Sequence, residues 1–257
     1  MLYFKKILNP NSKEWCVFIH GAGGSSSIWH KQVKAYSENF NLLLIDLRGH
    51  GKSKDLKTSK NYSFEMIAQD VIEVVEFNKI PSAHFIGVSL GTIIIYQIFA
   101  LKPSIVKSMI FSGAITRLNI KSRLLLRIGR LLNPFLPYMT LYALLARIIM
   151  PKKNHKTSRI LFINEAKKLM TKEFNRWFKL TARLTTYLNL VEHESNNKPT
   201  IYIMGSEDHM FLEPVKAIVD LNPRIELNVV PNCGHVVNIE QAEVFNAISI
   251  QFIRKSA

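Results

Sequence analysis

Two periodicities alternate along most of the chain. Short apolar runs rich in β-branched and aromatic residues stand at 16–20 (CVFIH), 42–47 (LLLIDL), 84–89 (HFIGVS), 108–113 (SMIFSG), 200–205 (TIYIMG) and 225–231 (IELNVVP). Successive apolar positions leave such a run no polar face, so each predicts a strand covered on both sides, as in a parallel sheet flanked by helices. Between the runs the period changes. The segment FEMIAQDVIEVVEFN places Ile67, Val71, Val74 and Val75 at i, i+4, i+7 and i+8, which is one face of a helix. Strand–helix–strand repeats of this kind imply right-handed crossovers and an open, doubly wound, mostly parallel α/β sheet. A short leading strand, LYFKKIL (2–8), precedes it.

Between 114 and 198 the pattern is different in kind. Strand signals stop, and RLLLRIGRLLN and RILFINEAKKLMTKEFNRWFKLTARLTTYL read as helices. Charge marks the same segment: residues 115–198 hold 17 of the 34 Lys and Arg but only 4 of the 19 Asp and Glu. The net charge of +15 therefore belongs almost wholly to one insert. This predicts an α/β core made of 1–113 and 199–257 and an all-helical insert at 114–198. No nucleic-acid reading module accompanies the charge, so nucleic acid is not an expected partner.

The chain of 257 residues, 47% hydrophobic, can bury an ample core. Cys16 and Cys233 read as free thiols in a reducing compartment. The N-terminal MLYFKKILNPNSKEW shows no secretory h-region. The longest apolar candidate, MTLYALLARIIM (139–150), is too short to span a bilayer and is interrupted by Arg147. A cytoplasmic protein is expected.

Candidate chemistry begins with GVSLG, residues 87–91. A hydroxyl between two glycines, after an apolar strand and before an apolar helix, fits a sharp turn that strains its central residue and crowds the flanking ones. The turn would lift Ser89 clear of the sheet at a helix N-terminus, where free N–H groups can face a developing oxyanion. A plain strand–helix connection with a serine cap is the other reading of the pentapeptide. IHGAGGSSSIW follows the first core strand and would bring a backbone N–H, that of Ala22, opposite the N–H of Leu90. The loop lacks the G-K-[ST] ending of a phosphate loop and does not match G-x-G-x-x-G. Asp208, in IMGSEDHMF just past a strand end, is the candidate acid, with Glu207 adjacent and a helix-capping role as its alternative. His235, in VVPNCGHVV after the last strand, is the candidate base. His20 precedes the glycine loop and is expected to brace it. His30, His50, His84, His155 and His193 lie on early or insert segments, and His209 comes before the final strand.

Taken together, HGAGGS, DLRGHGKS (46–53), GVSLG, GSED and GHVVNIEQAEVF resemble the α/β-hydrolase superfamily, of the small prokaryotic kind with a helical cap. The chain order Ser89, Asp208, His235 is the order that this architecture uses. The resemblance implies a serine hydrolase in which Ser89 attacks, His235 moves the proton, Asp208 orients His235, and the N–H groups of Ala22 and Leu90 bind the oxyanion. It implies Asp46 and Arg48 as scaffold. No metal or organic cofactor is called for. Acyl esters or thioesters with apolar acyl groups are the expected substrates; the alternatives are a same-fold lyase, a C–C bond hydrolase or a ligand-sensing signalling protein. Two departures stand out: the antiparallel lead before the glycine loop is short, and Thr92 replaces a glycine, which weighs against the vitamin K pathway synthases of the family. In the insert, a helix over 117–132 would put Leu124, Leu125, Ile128, Leu131 and Leu132 on one face, expected to receive an acyl chain, with Arg123, Arg127 and Arg130 on its flank. That basic flank is either a solvated surface or a contact for anionic membrane or an acidic acyl carrier, which would make the protein peripheral at a membrane.

Overall fold

The computed structural model describes residues 1–54, 56, 61–181, 183, 184, 187, 188 and 197–256, so His193 and parts of the last predicted helical stretch of the insert lie outside the described residues. Seven strands form one sheet: β1 (Phe4–Ile7), β2 (Trp15–Ile19), β3 (Asn41–Ile45), β4 (Ala83–Val88), β5 (Val106–Ser112), β6 (Thr200–Gly205) and β7 (Ile225–Val230). Their order is β1-β3-β2-β4-β5-β6-β7, with β1 antiparallel to β3 and every other pairing parallel. All six predicted core strands are present with ends shifted by up to two residues, and the leading strand is short, as the lead in sequence required.

The central strands β3, β4 and β6 are buried at every position. That is what two-sided apolar runs demand. β7 departs from the expectation: Glu226 and Val229 are exposed and Leu227 and Asn228 half-buried, because β7 is an edge and lacks a covering partner on one side. The opposite edge, β1, turns Lys5 and Lys6 to solvent, a charge pattern that discourages pairing with a further strand.

On one face lie α2 (Phe64–Phe77), α3 (Leu90–Leu101) and α8 (Leu212–Leu221); on the other, α1 (His30–Ser37) and α10 (Ala242–Ser256), with the single-turn α9 (Val237–Glu240) before it. α2 buries the predicted Ile67, Val71, Val74 and Val75, and the Ser63 side chain accepts the Met66 N–H to start it. α3 is apolar almost all round, with Ile93, Ile94, Ile95 and Ile98 each fully buried, so it sits in the core between α2 and the sheet. Its N-terminus is thereby fixed at the carboxyl end of β4.

Between β5 and β6 the described residues form four helices: α4 (Ile120–Leu132), α5 (Tyr138–Ile149), α6 (Lys156–Ala166) and α7 (Thr171–Thr181). The helix expected over 117–132 starts at Ile120 because the Asn119 side chain caps Ser122 N at 2.9 Å. The long pattern from 159 divides at 167–170. The Leu169 carbonyl at the break accepts the Tyr138 hydroxyl at 2.9 Å, and α7 turns back to bury Phe174, Trp177, Phe178 and Leu180. The face predicted for α4 is also corrected. Leu125 and Leu126 point inward with Ser122 and Gly129, whereas Leu124, Ile128 and Leu131 are exposed. Gly129 sits against the Phe178 ring, so the side of α4 without a bulky residue is the one that packs. Among the described residues no helix is long and apolar enough to cross a membrane. Cys16 and Cys233 are both free and buried.

Candidate active site

The site is built at the carboxyl ends of the strands, where a doubly wound sheet gathers its loops. β4 ends at Val88 and α3 begins at Leu90, leaving Ser89 alone to reverse the chain at φ 53°, ψ −121°. A non-glycine residue in that region costs about 1–3 kcal/mol and persists only where its surroundings hold it. Here they do. The Ser89 N–H donates to the Ser112 carbonyl of β5 at 2.9 Å, and the Ser89 carbonyl accepts both the Thr92 N–H at 3.0 Å and the Thr92 hydroxyl at 2.7 Å. Thr92, the departure from the family pattern, thus ties down the turn. Gly91 has no room for a side chain, since a Cβ there would collide with the Ile19 carbonyl oxygen.

His235 reaches Ser89 from the loop after β7. Its Nε2 lies 3.0 Å from Ser89 Oγ, and its Nδ1 lies 2.7 Å from Asp208 Oδ2. An ionised carboxylate only accepts, so Nδ1 carries the proton and Nε2 is left as acceptor for the Ser89 hydroxyl. Asp208 and His235 are buried while Ser89 is half-buried and open to a cavity. Asp208 divides its carboxylate: Oδ2 faces His235 Nδ1, and Oδ1 accepts the Phe211 N–H at 3.2 Å just before α8. Phe211 also packs against the imidazole, with ring centres 5.1 Å apart.

Glu207 faces elsewhere. Its carboxylate binds Asn154 Nδ2 at 2.8 Å, Lys152 Nζ at 2.9 Å and His155 Nε2 at 2.8 Å, all from the insert. The donors Asn154 and Lys152, foremost, hold it down to about pH 2. It ties the insert to the loop beside Asp208. His209, His30 and His84 do not join the Ser89 group; His84 pairs with Ser108 inside the sheet.

The glycine loop is held from two sides. His20 donates from Nδ1 to the Gly21 carbonyl at 2.7 Å and accepts the Leu47 N–H at Nε2, 2.9 Å, which is the expected brace. His50 does the same job from DLRGHG: its Nε2 accepts the Gly23 N–H at 3.0 Å, and its Nδ1 donates to the Arg48 carbonyl at 3.1 Å. Burial lowers the pKa of both rings, His50 to about 3, so each stays neutral and can accept. Asp46 accepts the Ser26 and Lys52 N–H groups at 2.7 and 2.8 Å, and Arg48 makes a bidentate pair with Asp70, so both act as scaffold. The role of His50 was open to sequence reading only through its position in the same motif as Asp46.

Three further contacts were not foreseen. Gly113, at the end of β5, has φ +51° and lies where a Cβ would meet the His235 carbonyl; its glycine lets the His235 loop settle on the strand end. A glycine closing an apolar run was the available signal. Tyr142 of α5 donates its hydroxyl to the Ala22 carbonyl at 2.9 Å, and Glu165 of α6 accepts from Ser25 at 2.7 Å. Both link the insert to the glycine loop.

Ala22 and Leu90 line the same cavity as Ser89 and His235. The cavity holds about 170 Å³ and is walled by the insert, with Leu125, Leu126, Phe162, Phe174 and Trp177 among its apolar surfaces. Among the described residues no Lys, Arg, Asp or Glu lines it. A smaller chamber of about 40 Å³ shares Ser89 and His235 with it and is lined further by Leu161, Val236 and Ile239.

Residues 15–242 match the family model of the α/β-hydrolase fold. The chain is therefore an α/β hydrolase, a member of an enzyme family whose relatives here include esterases and lactonases. A Haemophilus influenzae protein named as an esterase/lipase is 24% identical over 261 residues, covering 93% of this chain and 83% of its own. A Bacillus subtilis protein named as a 2-succinyl-6-hydroxy-2,4-cyclohexadiene-1-carboxylate synthase is 24% identical over 252 residues, with 95% and 92% covered. Among solved structures, the enol-lactonase from Burkholderia xenovorans superposes with a TM-score of 0.81 at 18% identity, covering 98% of this chain and 96% of that one, which shows a shared fold.

Proposed function

We propose that the protein is a serine hydrolase that cleaves acyl esters or thioesters through Ser89, His235 and Asp208. The observation that carries this reading is the unbroken hydrogen-bond chain from Ser89 Oγ through His235 to Asp208 at the floor of an apolar cavity. Ser89 Oγ attacks the substrate carbonyl carbon while His235 Nε2 takes its proton. Asp208 holds the imidazole in the accepting tautomer and stabilises its charged form. The negative charge gathered on the carbonyl oxygen is met by the N–H groups of Ala22 and Leu90. Collapse of this intermediate breaks the bond to the alcohol or thiol, which leaves with the proton from His235, and an acyl-enzyme remains on Ser89. Water, deprotonated by His235, then releases the acid by the same steps in reverse. Neither a metal ion nor an organic cofactor enters the scheme.

The helical insert serves as the cap, and the larger chamber takes the acyl group. At about 170 Å³ it is similar in size to an apolar cavity of about 150 Å³ that admits benzene, so an acyl group of about six carbons is its scale. The smaller chamber is left for the leaving group. A lyase or synthase of the family acting on carboxylated substrates would need cationic groups to hold them, and the described lining of the cavity supplies no Lys or Arg. Thr92 argues in the same direction. Two buried free thiols suit a reducing, cytoplasmic location. A panel of p-nitrophenyl esters of increasing acyl length tests the reading: kcat/KM should rise to a maximum near six carbons and fall beyond it. Absence of ester turnover at every length would defeat it.

A further inference from the structure

The outward turn of Leu124, Ile128 and Leu131 leaves a row of large apolar side chains in water. Ile120 is 85% exposed, Leu124 55%, Leu131 72%, and Phe135, just beyond the helix, 83%. At 100° per residue, Ile120, Leu124, Ile128 and Leu131 fall within an arc of about 80° on α4, and the row runs about 16 Å along its axis. Cations border it on both sides: Arg123, Arg127 and Arg130 on one edge, Lys121 on the other, all exposed. α4 carries no acidic residue. The described acids of the insert are turned away, Glu165 toward Ser25 and Glu173 toward Arg176 and Tyr62.

We propose that this face of α4 is a docking surface for anionic lipid membrane. A narrow apolar ridge with three arginines along one edge and a lysine on the other is the pattern of a helix that lies in the headgroup region with its apolar side in the acyl boundary. The charge complements an anionic leaflet. An acidic carrier protein would engage the arginines but leave Ile120, Leu131 and Phe135 in water. A second copy of the chain would set arginine against arginine across a self-paired interface. The opposite side of α4, through Ser122, Leu125 and Leu126, walls the cavity above Ser89, so docking would place the acyl chamber one helix thickness from the lipid. The surface stands apart from the hydrolytic reading, since it uses neither Ser89 nor His235.

The test is co-sedimentation with vesicles of phosphatidylcholine, with and without phosphatidylglycerol, at low and moderate salt. The wild type should prefer the anionic vesicles at least tenfold, and the preference should shrink as salt screens the cations. Leu124→Ser with Leu131→Ser, and separately Arg123→Gln with Arg127→Gln and Arg130→Gln, should each weaken partitioning tenfold or more. Both variants should turn over a short soluble ester within twofold of wild type, which shows that they fold. Ser89→Ala should bind vesicles normally, so that lost docking and lost chemistry are told apart. Equal partitioning onto neutral and anionic vesicles, or unchanged binding by the leucine variant, would overturn the proposal. So would binding to an acidic acyl carrier protein without binding to vesicles.

Discussion

The strand ends that carry Ser89 and the helices that cover them are held by different physics. Around Ser89 nearly every polar group is committed: its own N–H and carbonyl, both nitrogens of His235, both oxygens of Asp208, and the two histidines behind the glycine loop each have a named partner. Such over-determined geometry fixes a reacting group within the few tenths of an ångström that catalysis needs. The insert is joined to this frame by side-chain bonds spread along its length, among them those of Asn119, Tyr142, Ser158, Glu165, Glu173, Trp177 and the Glu207 cluster, and it spends its apolar residues on two opposite surfaces. One lines the cavity and the other meets solvent. On the proposed function the strand-end loops set the chemistry and the insert sets what reaches it, so the two should respond to different perturbations.

The sharpest separation comes from the Ser89 group. Ser89→Ala or His235→Ala should lower kcat/KM for a short ester by a factor on the order of 10⁴ or more, with the circular dichroism unchanged, because the three residues act as a unit. Asp208→Asn should fall nearly as far, since it leaves the imidazole in the wrong tautomer. Glu207→Gln, one residue away, should cost only a few-fold, because Glu207 contacts the insert and not His235.

Next comes the packing beneath the elbow. Gly91→Ala forces a Cβ onto the Ile19 carbonyl oxygen, and urea unfolding should show a loss of about 1–3 kcal/mol. A comparable small-to-large change on the outer face of α4 should cost nothing measurable.

A graded effect should appear with acid. The pKa of His50 is lowered from 6.5 to about 3 in the folded chain, so below pH 6.5 the unfolded chain binds the extra proton. Stability should therefore be fully present above pH 6.5 and decline as pH falls toward 3, with His20 adding to the trend. His50→Gln keeps an acceptor for the Gly23 N–H but cannot titrate, and chemical denaturation across this range should show a flatter pH slope. An unchanged slope would remove His50 from the account.

The smallest effect probes the seam between the two regions. Tyr142→Phe deletes the hydroxyl that holds the Ala22 carbonyl, and kcat for a short ester should drop roughly two- to tenfold with little change in stability.

How far the molecule could be read in advance follows the same division. The meeting of Ser89, Asp208 and His235 was legible because a strained turn, a strand-end acid and a loop histidine each leave a local mark: glycines at fixed offsets, at a known place relative to a strand. The two-sided burial of β3, β4 and β6 followed from apolar runs in the same way. β7 was misjudged because edge status depends on which strands exist, not on its own residues. The orientation of α4 was illegible for a deeper reason. A helical wheel finds which residues share a face but not which face turns inward, and in α4 both sides are apolar. What decided it was the absence of bulk at Ser122 and Gly129, with Phe178 seated against the glycine. Tyr142, Glu165 and Trp177 were missed because each acts across more than a hundred residues of chain, with no motif to announce the contact.

The central claim is that Ser89 is the nucleophile, and the most direct measurement is covalent capture. The protein should react with a fluorophosphonate probe at a single residue, and peptide mass mapping should place the adduct on Ser89; His235→Ala should label far more slowly and Ser89→Ala not at all. Undiminished labelling of the Ser89→Ala variant, or an adduct mapped to another residue in the wild type, would contradict the account.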